Sequence, residues 1–323
     1  MANVLVYSDG SLGNRIRGIV NAFALSNHPL HIFWPINNWC GSEFQSLFDL
    51  PVFVNGCTYT SLQEFESYIS HLKGSKALVS HSNHIKSQLF DVILDASRTF
   101  FPSSRVRELL NTYDYIIIYT VEVHPSVSIH RYSKILGSLK PIHEIQKKAD
   151  EALLKANSHS FLSFHARLTD SKIPFSWYKT KLKSVNKQRL VFISSDDESA
   201  ENHLTTIHPN SFTFPKAAYP APLFKKKTWN DLVIDTDGRL QPYNKNISHQ
   251  STIEAWVDLL ILSHGVPIFT NKGSFLELAI VRSLVHTPLS RSYLLVLMYR
   301  LMRWIKIAFL LSSERFGRVA SIS

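Results

Sequence analysis

The stretch FLSFHARLT at residues 161–169 contains a short apolar run that ends at His165 and Arg167 and is followed by Asp170. An apolar run of this length predicts a buried strand, and residues just past its carboxyl end lie where α/β proteins bind ligands. Positions two apart on a strand share a face, so we expect His165 and Arg167 to point into one crevice. An imidazole beside a guanidinium suits the base and the phosphates of a nucleotide. The alternative is a surface arginine that closes a strand.

Strand and helix patterns alternate on both sides of this stretch. Strands are predicted at residues 3–7, 31–34, 77–79, 115–119, 161–164, 190–194, 211–214 and 266–270, and helices at 14–25, 62–71, 105–111, 140–156, 175–184, 199–207 and 251–262. This alternation predicts an α/β fold. We place a domain boundary at the polar helix near residue 140, which gives domains at 1–140 and 141–290. The irregular segment 215–250 is long enough that we expect it to be functional or mobile.

The composition is that of a globular protein that binds anions. Its 323 residues are 45% hydrophobic, which suits two domains with substantial cores and excludes a disordered chain. Lysine and arginine number 35 against 25 aspartate and glutamate residues, so the net charge of +10 favours anionic partners. Two cysteines are too few for a disulfide framework, and the N-terminal residues lack a signal-peptide pattern. We therefore expect a cytoplasmic location.

A glycine-containing turn follows the first predicted strand. Gly10 and Gly13 permit a tight turn, and the N-terminus of the next helix carries partial positive charge, so Asn14 and Arg15 are expected beside a ligand. The glycine spacing matches neither a dinucleotide fingerprint nor a P-loop, and no acidic residue ends the second strand. This pattern argues against dinucleotide binding. The alternative is a turn with a purely structural role.

Four segments in register resemble the group of α1,6-fucosyltransferases and nodulation fucosyltransferases, with the protein O-fucosyltransferases as more distant relatives. They are GSLGNRIRGIVNAFALS (10–26), HARLTD (165–170), VFISSDD (191–197) and TIEAWVDLLILSHGVPIFTNKGSFLELA (252–279). The resemblance covers about residues 5 to 285. It implies a GT-B fold, in which two Rossmann-like domains face each other across a cleft. It also implies that the C-terminal domain holds GDP-fucose and that fucose is transferred with inversion and without a metal.

The resemblance assigns roles to individual residues. It implies that Arg167 binds the donor β-phosphate and that His165 and Asp258 contact guanine. A carboxylate suits guanine, because N1 and the 2-amino group both donate hydrogen bonds to it. The remaining implied donor contacts are Ser274 at the diphosphate, Phe275 beside it, and Asp196 and Asp197 near the sugar or the ribose.

Each of these assignments has a structural alternative. Asp258 could be an exposed helix carboxylate, and Asp196 and Asp197 could cap the helix that follows them. Ser274 could open a capping box with Glu277, which needs no ligand.

The chain departs from the family pattern at two positions. Leu168 replaces a second arginine, and Phe175 stands where the α1,6 enzymes have the glutamate proposed as catalytic base. Asp170 is then the only local carboxylate that could act as a base. If Arg15, Arg167 and the helix that starts at Ser274 stabilise the departing GDP, the need for a strong base is small.

The segment at residues 291–323 requires a separate explanation. Residues 293–311 are strongly apolar, but Arg300, Arg303 and Lys306 lie at their centre and argue against a membrane span. On a helix these cations share one sector, as in a helix that lies in a membrane interface. A C-terminal helix packed on the protein with snorkelling cations is the alternative.

The sequence as a whole predicts a metal-independent inverting fucosyltransferase that uses GDP-fucose and a saccharide or lipid-linked glycan acceptor. A GT-B transferase with another nucleotide sugar is one alternative, and a non-catalytic nucleotide- or glycan-binding relative is another. Nucleic-acid binding is disfavoured, because the surplus positive charge lies on an apolar segment rather than beside exposed aromatic residues.

Overall fold

The computed structural model describes residues 2–80, 85–95, 103–120, 123–124, 127–156, 160–170, 173–234, 240–241, 243–268, 270 and 273–286. The described chain divides into two compact units. The first unit holds the described residues of 1–35 and 50–140, and the second holds those of 36–49 and 141–286.

The first unit is built on a parallel sheet. Its elements, in chain order, are β1 (Asn3–Tyr7), α1 (Leu12–Ser26), β2 (Leu30–Phe33), β3 (Val54–Thr58), α2 (Leu62–His71), β4 (Lys76–Ser80), β5 (Val92–Asp95), α3 (Ser103–Thr112), β6 (Tyr115–Tyr119) and α4 (Ile129–Ser138). The strand order is β3-β2-β1-β6-β4-β5, and every neighbouring pair is parallel. Leu5, Phe33 and Ile117 pack with Phe65 of α2 on one face, while α1 packs against β1, β2 and β6.

The second unit repeats the α/β theme. Its elements are α5 (His143–Lys155), β7 (Leu162–Ala166), α6 (Phe175–Lys183), β8 (Val191–Ser195), α7 (Glu198–Ile207), β9 (Ser211–Phe212), β10 (Val233–Ile234), β11 (Leu240–Gln241), α8 (His249–His264), β12 (Val266–Ile268) and α9 (Ser274–His286). A parallel sheet has the order β12-β7-β8-β9, and β10 pairs antiparallel with β11. The prediction of an α/β fold with parallel sheets is confirmed.

Side-chain alternation along β7 and β8 separates a packing face from a polar face. Phe164 and Ile193 pack with Tyr178 of α6 and Leu204 of α7. The neighbouring positions face α8, where Ser163 Oγ donates to the carbonyl of Leu262 at 2.8 Å. Polar groups near the carboxyl ends of β7 and β8 therefore lie on the face that α8 covers.

Residues 36–49 pack in the second unit, whereas the sequence analysis placed them in a domain at 1–140. Trp256 Nε1 donates to the carbonyl of Leu47 at 3.2 Å, and the rings of Phe48 and Trp256 lie 5.4 Å apart. Ile247 N donates to the carbonyl of Asn38 at 2.8 Å. These are contacts between distant parts of the chain, and local periodicity carries no signal for them.

Among the described residues, no helix is long and apolar enough to cross a membrane. The helix predicted within residues 291–323 lies outside the described residues, and its interfacial or packed state stays a prediction.

Candidate functional site

His165 lies near the C-terminal end of β7 in a buried environment. Its side chain is 5% exposed, and its ring lies 4.9 Å from that of Phe275 in the first turn of α9. Thr270, four residues before α9, donates through Oγ1 to the carbonyl of His165. The carboxyl end of β7 therefore lies against the N-terminal turn of α9.

The imidazole of His165 is neutral at pH 7. Burial lowers its pKa to about 4, and although the charge of Asp196 opposes this shift, the charges of Arg167 and Lys216 add to it. Its Nδ1 atom is buried and has no hydrogen-bond partner among the described residues. A buried polar atom without a partner costs free energy, so Nδ1 is a candidate contact for a ligand.

Asp258 lies on α8 next to the end of β8. Its carboxylate is 3% exposed, and Oδ2 accepts from Ser194 Oγ at 2.7 Å and from Lys216 Nζ at 2.9 Å. Oδ1 is also buried but has no hydrogen-bond partner in the described part of the chain. Burial raises the pKa of Asp258, and the contacts with Lys216 and Ser194 only partly oppose that shift. His165 and Ser194 are register partners on parallel strands, so His165 and Asp258 share the face under α8.

Lys216 joins Asp258 to α7, and the sequence analysis missed it. Its ammonium pairs with Glu201 as well as Asp258 and donates to the carbonyl of Ser195 at 2.9 Å. Burial alone would lower the pKa of Lys216, but the two carboxylates outweigh burial and raise it. Tyr219 completes the cluster by donating to Glu201 Oε1 at 2.9 Å. A lysine four residues past β9 lies at the edge of the sheet where ligands bind, which is the signal that could have found it.

Arg167 and Asp170 form a two-point ion pair just beyond β7. Arg167 donates through Nε and Nη2 to the two carboxylate oxygens, and Lys245 Nζ lies 3.4 Å from Asp170 Oδ2. Burial would raise the pKa of Asp170, but the two cations outweigh burial and lower it. Asp170, predicted as the catalytic base, is thus held ionised by cations. The Arg167 side chain is 23% exposed, and its hydrogen bonds to described side chains use Nε and Nη2. Nη1 is therefore a candidate contact for a ligand.

Asp196 and Asp197 have local roles in the structure. Asp196 accepts from Leu168 N at 2.7 Å and from both the amide and the hydroxyl of Thr169, so it holds the loop that carries Arg167. Asp197 is the N-cap of α7 and accepts from Ala200 N at 2.8 Å. The capping alternative therefore holds for Asp197, whereas Asp196 clamps a loop.

Ser274 is the first residue of α9 and is 7% exposed. A capping box with Glu277 requires Ser274 to precede the helix, and Glu277 N instead bonds to the carbonyl of Gly273 at 3.2 Å. The first turn of an α-helix presents free amide groups, so the start of α9 beside His165 suits an anion.

Asn14 and Arg15 belong to the first unit. The side chain of Arg15 is fully buried, and it donates to the carbonyls of Gly10 at 2.7 Å and Pro35 at 2.5 Å while its guanidinium lies 4.7 Å from the Trp34 ring. Asn14 Oδ1 accepts from Arg17 at 3.3 Å. Gly10 has a φ of 81°, a left-handed conformation that glycine adopts without strain. Arg15 holds this turn, and the donor-site roles of Asn14 and Arg15 stay predictions.

Residues that could hold a metal are not clustered in the described ranges. No group of three or more histidine, cysteine, aspartate or glutamate side chains there has a ligand arrangement. Metal independence of the activity stays a prediction.

The structure resembles crystal structures of the fucosyltransferase NodZ. Fucosyltransferase NodZ from Bradyrhizobium matches at a TM-score of 0.51 and 14% identity, over 86% of this chain and 93% of that chain. NodZ alpha-1,6-fucosyltransferase soaked with GDP-fucose matches at 0.53 and 13%, over 87% of this chain and 92% of that chain. The chain has the fold of NodZ. The NodZ structure co-crystallized with GDP agrees, at 0.51 and 15% identity, over 86% and 92% of the two chains.

Comparison with protein-family models gives no match, and comparison with the sequences of curated proteins gives none either. At 13–15% identity, the likeness to NodZ establishes the fold.

Proposed function

We propose that the chain is an inverting glycosyltransferase that transfers fucose from GDP-fucose to a saccharide acceptor. NodZ was co-crystallized with GDP in one case and soaked with GDP-fucose in another, and the shared fold supports the same donor class here. The observation that carries the proposal is the state of Asp258 Oδ1, a buried carboxylate oxygen with no hydrogen-bond partner in the described part of the chain. The same face of the sheet holds Nδ1 of His165, which also has no partner there.

Guanine is the base that fits this pair of atoms best. Its N1–H and 2-amino group are donors, and a carboxylate oxygen can only accept. Adenine presents an unprotonated N1, which would place a lone pair against Oδ1. A uracil N3–H could reach the same oxygen, but the ring of Phe275 beside His165 offers stacking area suited to a larger purine.

The diphosphate is assigned to Arg167 and the first turn of α9. Arg167 has Nη1 available, and the amides at Ser274 and Phe275 have no partner inside the helix. As the bond between C1 of fucose and the β-phosphate oxygen breaks, negative charge grows on the departing GDP. A guanidinium and helix amides that point at this charge stabilise the transition state more than the ground state.

We assign Asp170 to holding Arg167 rather than to proton removal. Its ion pair with Arg167 and the nearby Lys245 lower its pKa, which makes it a weak base. Inversion requires the acceptor hydroxyl to attack C1 from the face opposite GDP, and stabilisation of GDP reduces the need for a strong base. We expect these cations to act without a metal ion.

The acceptor side of the proposal rests on the sequence. We assign the acceptor to the domain at 1–140, and we propose a cytoplasmic enzyme with peripheral membrane contact through residues 291–311. A lipid-linked glycan would account for a basic apolar segment there.

A calorimetric binding screen with GDP, UDP, ADP and dTDP tests the donor assignment. We expect GDP to bind at least about tenfold more tightly than the other three, which corresponds to about 1.4 kcal/mol. Equal or tighter binding of another nucleotide would transfer the proposal to that nucleotide sugar. Absence of binding by all four would refute the donor site.

A further inference from the structure

The two oxygens of Asp258 are in different states. Oδ2 accepts from Ser194 Oγ at 2.7 Å and from Lys216 Nζ at 2.9 Å, whereas Oδ1 is buried and has no partner among the described residues. A carboxylate offers about four lone-pair positions on its two oxygens, so two donors fill Oδ2. Only Oδ1 can accept a hydrogen bond from a ligand.

Lys216 is fixed independently of any ligand. Its side chain is 4% exposed, and its ammonium is bound by Glu201 and by the carbonyl of Ser195 in addition to Asp258. Glu201 is itself held by the amide of Ser195 and by Tyr219 Oη. The donor on Oδ2 therefore cannot move away to make room for a second ligand contact.

We propose that Lys216 is a positioning residue for base recognition. It occupies Oδ2 of Asp258, so that Oδ1 alone accepts a hydrogen bond from the N1–H of a 6-oxopurine. This inference rests on the proposed function, because it requires a purine nucleotide in the site. A two-point contact would use both oxygens, one for N1–H and one for the 2-amino group. Here the 2-amino group finds no free oxygen on Asp258, and discrimination depends on N1.

Inosine diphosphate (IDP), whose base is hypoxanthine, distinguishes a one-point contact through N1–H from a two-point contact that also uses the 2-amino group. It carries the 6-oxo group and the N1–H of guanine but lacks the 2-amino group, whereas adenine lacks the N1–H. A site that reads N1 alone binds IDP nearly as tightly as GDP and rejects ADP, because an unpaired buried acceptor is costly. A two-point site would discriminate against both.

The charges around Asp258 give Lys216 a second measurable effect. Lys216 is the cation paired with Asp258, while Glu254 on the same helix, Glu201 on α7 and the Tyr219 hydroxyl face the cluster from other sides. His165 on β7 is uncharged, and Ser194 on β8 is a neutral donor. Without Lys216, burial is opposed less strongly, so the pKa of Asp258 should rise further, and the protonated carboxyl should bind N1–H more weakly.

Calorimetry of the full chain with GDP, IDP and ADP tests the proposal. We expect IDP to bind within about threefold of GDP and ADP to bind at least about thirtyfold more weakly. Ser194→Ala removes one donor from Oδ2, so the 2-amino group gains an acceptor and the preference for GDP over IDP should rise at least about fivefold.

Lys216→Met should lower GDP affinity at least about tenfold, and this loss should become smaller as pH rises, because the carboxyl of Asp258 ionises again. Lys227→Met is the matched control, because Lys227 lies in the same irregular segment with its side chain exposed over Phe224. If Lys216→Met does not fold, the wild-type comparison and Ser194→Ala still decide the question.

Three results would overturn the proposal. One is that the wild-type protein binds IDP at least about tenfold more weakly than GDP. Another is that the Ser194→Ala variant has an unchanged ratio of GDP affinity to IDP affinity. The third is a folded Lys216→Met variant with wild-type GDP affinity and no pH dependence. Wild-type protein that binds no GDP would refute the proposed function as well, so the two failures are distinguishable.

Discussion

Asp258 and His165 each carry a buried polar atom that has no hydrogen-bond partner among the described residues, and both lie on the face of the sheet that α8 covers. Buried carboxylate oxygens and ring nitrogens without partners are rare in folded proteins, because each costs the free energy of a lost hydrogen bond. Both occur here among the described residues. Two of them on one face of the sheet are best explained by a ligand that completes both.

Asp258→Asn is expected to weaken GDP binding at least about tenfold and to reduce the preference for GDP over ADP. In one orientation the new amide group meets the ammonium of Lys216, and in the other it presents a donor to the N1–H. Asp150→Asn, on the exposed face of α5, is the control that should leave both affinities unchanged. Calorimetry in which Asp258→Asn keeps the wild-type preference for GDP would contradict the assignment.

Arg167→Ala is expected to reduce turnover of GDP-fucose at least about a hundredfold while the protein stays folded, because a contact to developing charge on the leaving phosphate is lost. Circular dichroism should report the wild-type spectrum, and Arg189→Ala, at an exposed position of the same unit, should keep full turnover. Wild-type turnover in folded Arg167→Ala would remove Arg167 from the mechanism.

The neutral state of His165 predicts a pH dependence of stability. Its pKa is about 4 in the folded protein and about 6.5 when unfolded, so the unfolded chain binds the extra proton between these values. Stability is then complete above pH 6.5 and falls as pH decreases towards 4, by up to about 3 kcal/mol from this residue.

Chemical denaturation of wild type and His165→Phe isolates that contribution, because the raised pKa values of Asp258 and Glu201 act in both proteins with the opposite sign. The wild type should lose more stability than the variant as pH falls from 6.5 to 4. Equal loss in both proteins would show that His165 is not held neutral.

At the level of elements, the two aspartates that follow β8 hold the neighbouring segments of the candidate site in place. Asp196 binds the loop that carries Arg167, and Asp197 binds the first turn of α7. Adjacent carboxylates thus act on two different elements, and their substitution should separate stability from ligand binding.

Asp197→Ala should cost about 1 kcal/mol of unfolding free energy through loss of the N-cap, with GDP affinity unchanged. Asp196→Ala should weaken GDP binding, since the amides of Leu168 and Thr169 lose their partner and Arg167 is no longer held in place. Denaturation and calorimetry on both variants measure the contrast. Weaker GDP binding in Asp197→Ala than in Asp196→Ala would reverse the assignment.

The elements could be predicted from sequence wherever the pattern is strong. The apolar runs of β1 and β6 predicted their observed bounds, and the helix predicted at residues 62–71 matches α2. In the structure Ser61 and Glu64 cap α2 reciprocally, which fixes its start. β3 was missed because Asn55 and Gly56 interrupt its apolar pattern, and β5 because only four residues form it. α4 is a short helix whose N-cap, Ser128, has no capping-box partner to mark it.

At the scale of the whole molecule, the sequence predicted the parallel α/β architecture that the chain shares with NodZ. It did not predict that residues 36–49 pack in the second unit or that Arg15 is fully buried. Both depend on contacts between segments distant along the chain. Lys216 was missed for the same reason, since its partners come from α7 and α8 and no local motif joins them.

Release of GDP from GDP-fucose in the presence of EDTA tests whether this site turns over GDP-fucose without a metal. Water can replace the acceptor, so the measurement does not require the acceptor to be known. The account predicts steady GDP release by the wild-type protein in EDTA and its loss in Arg167→Ala. No release under any condition, or release that returns only when Mn²⁺ or Mg²⁺ is added, would contradict it.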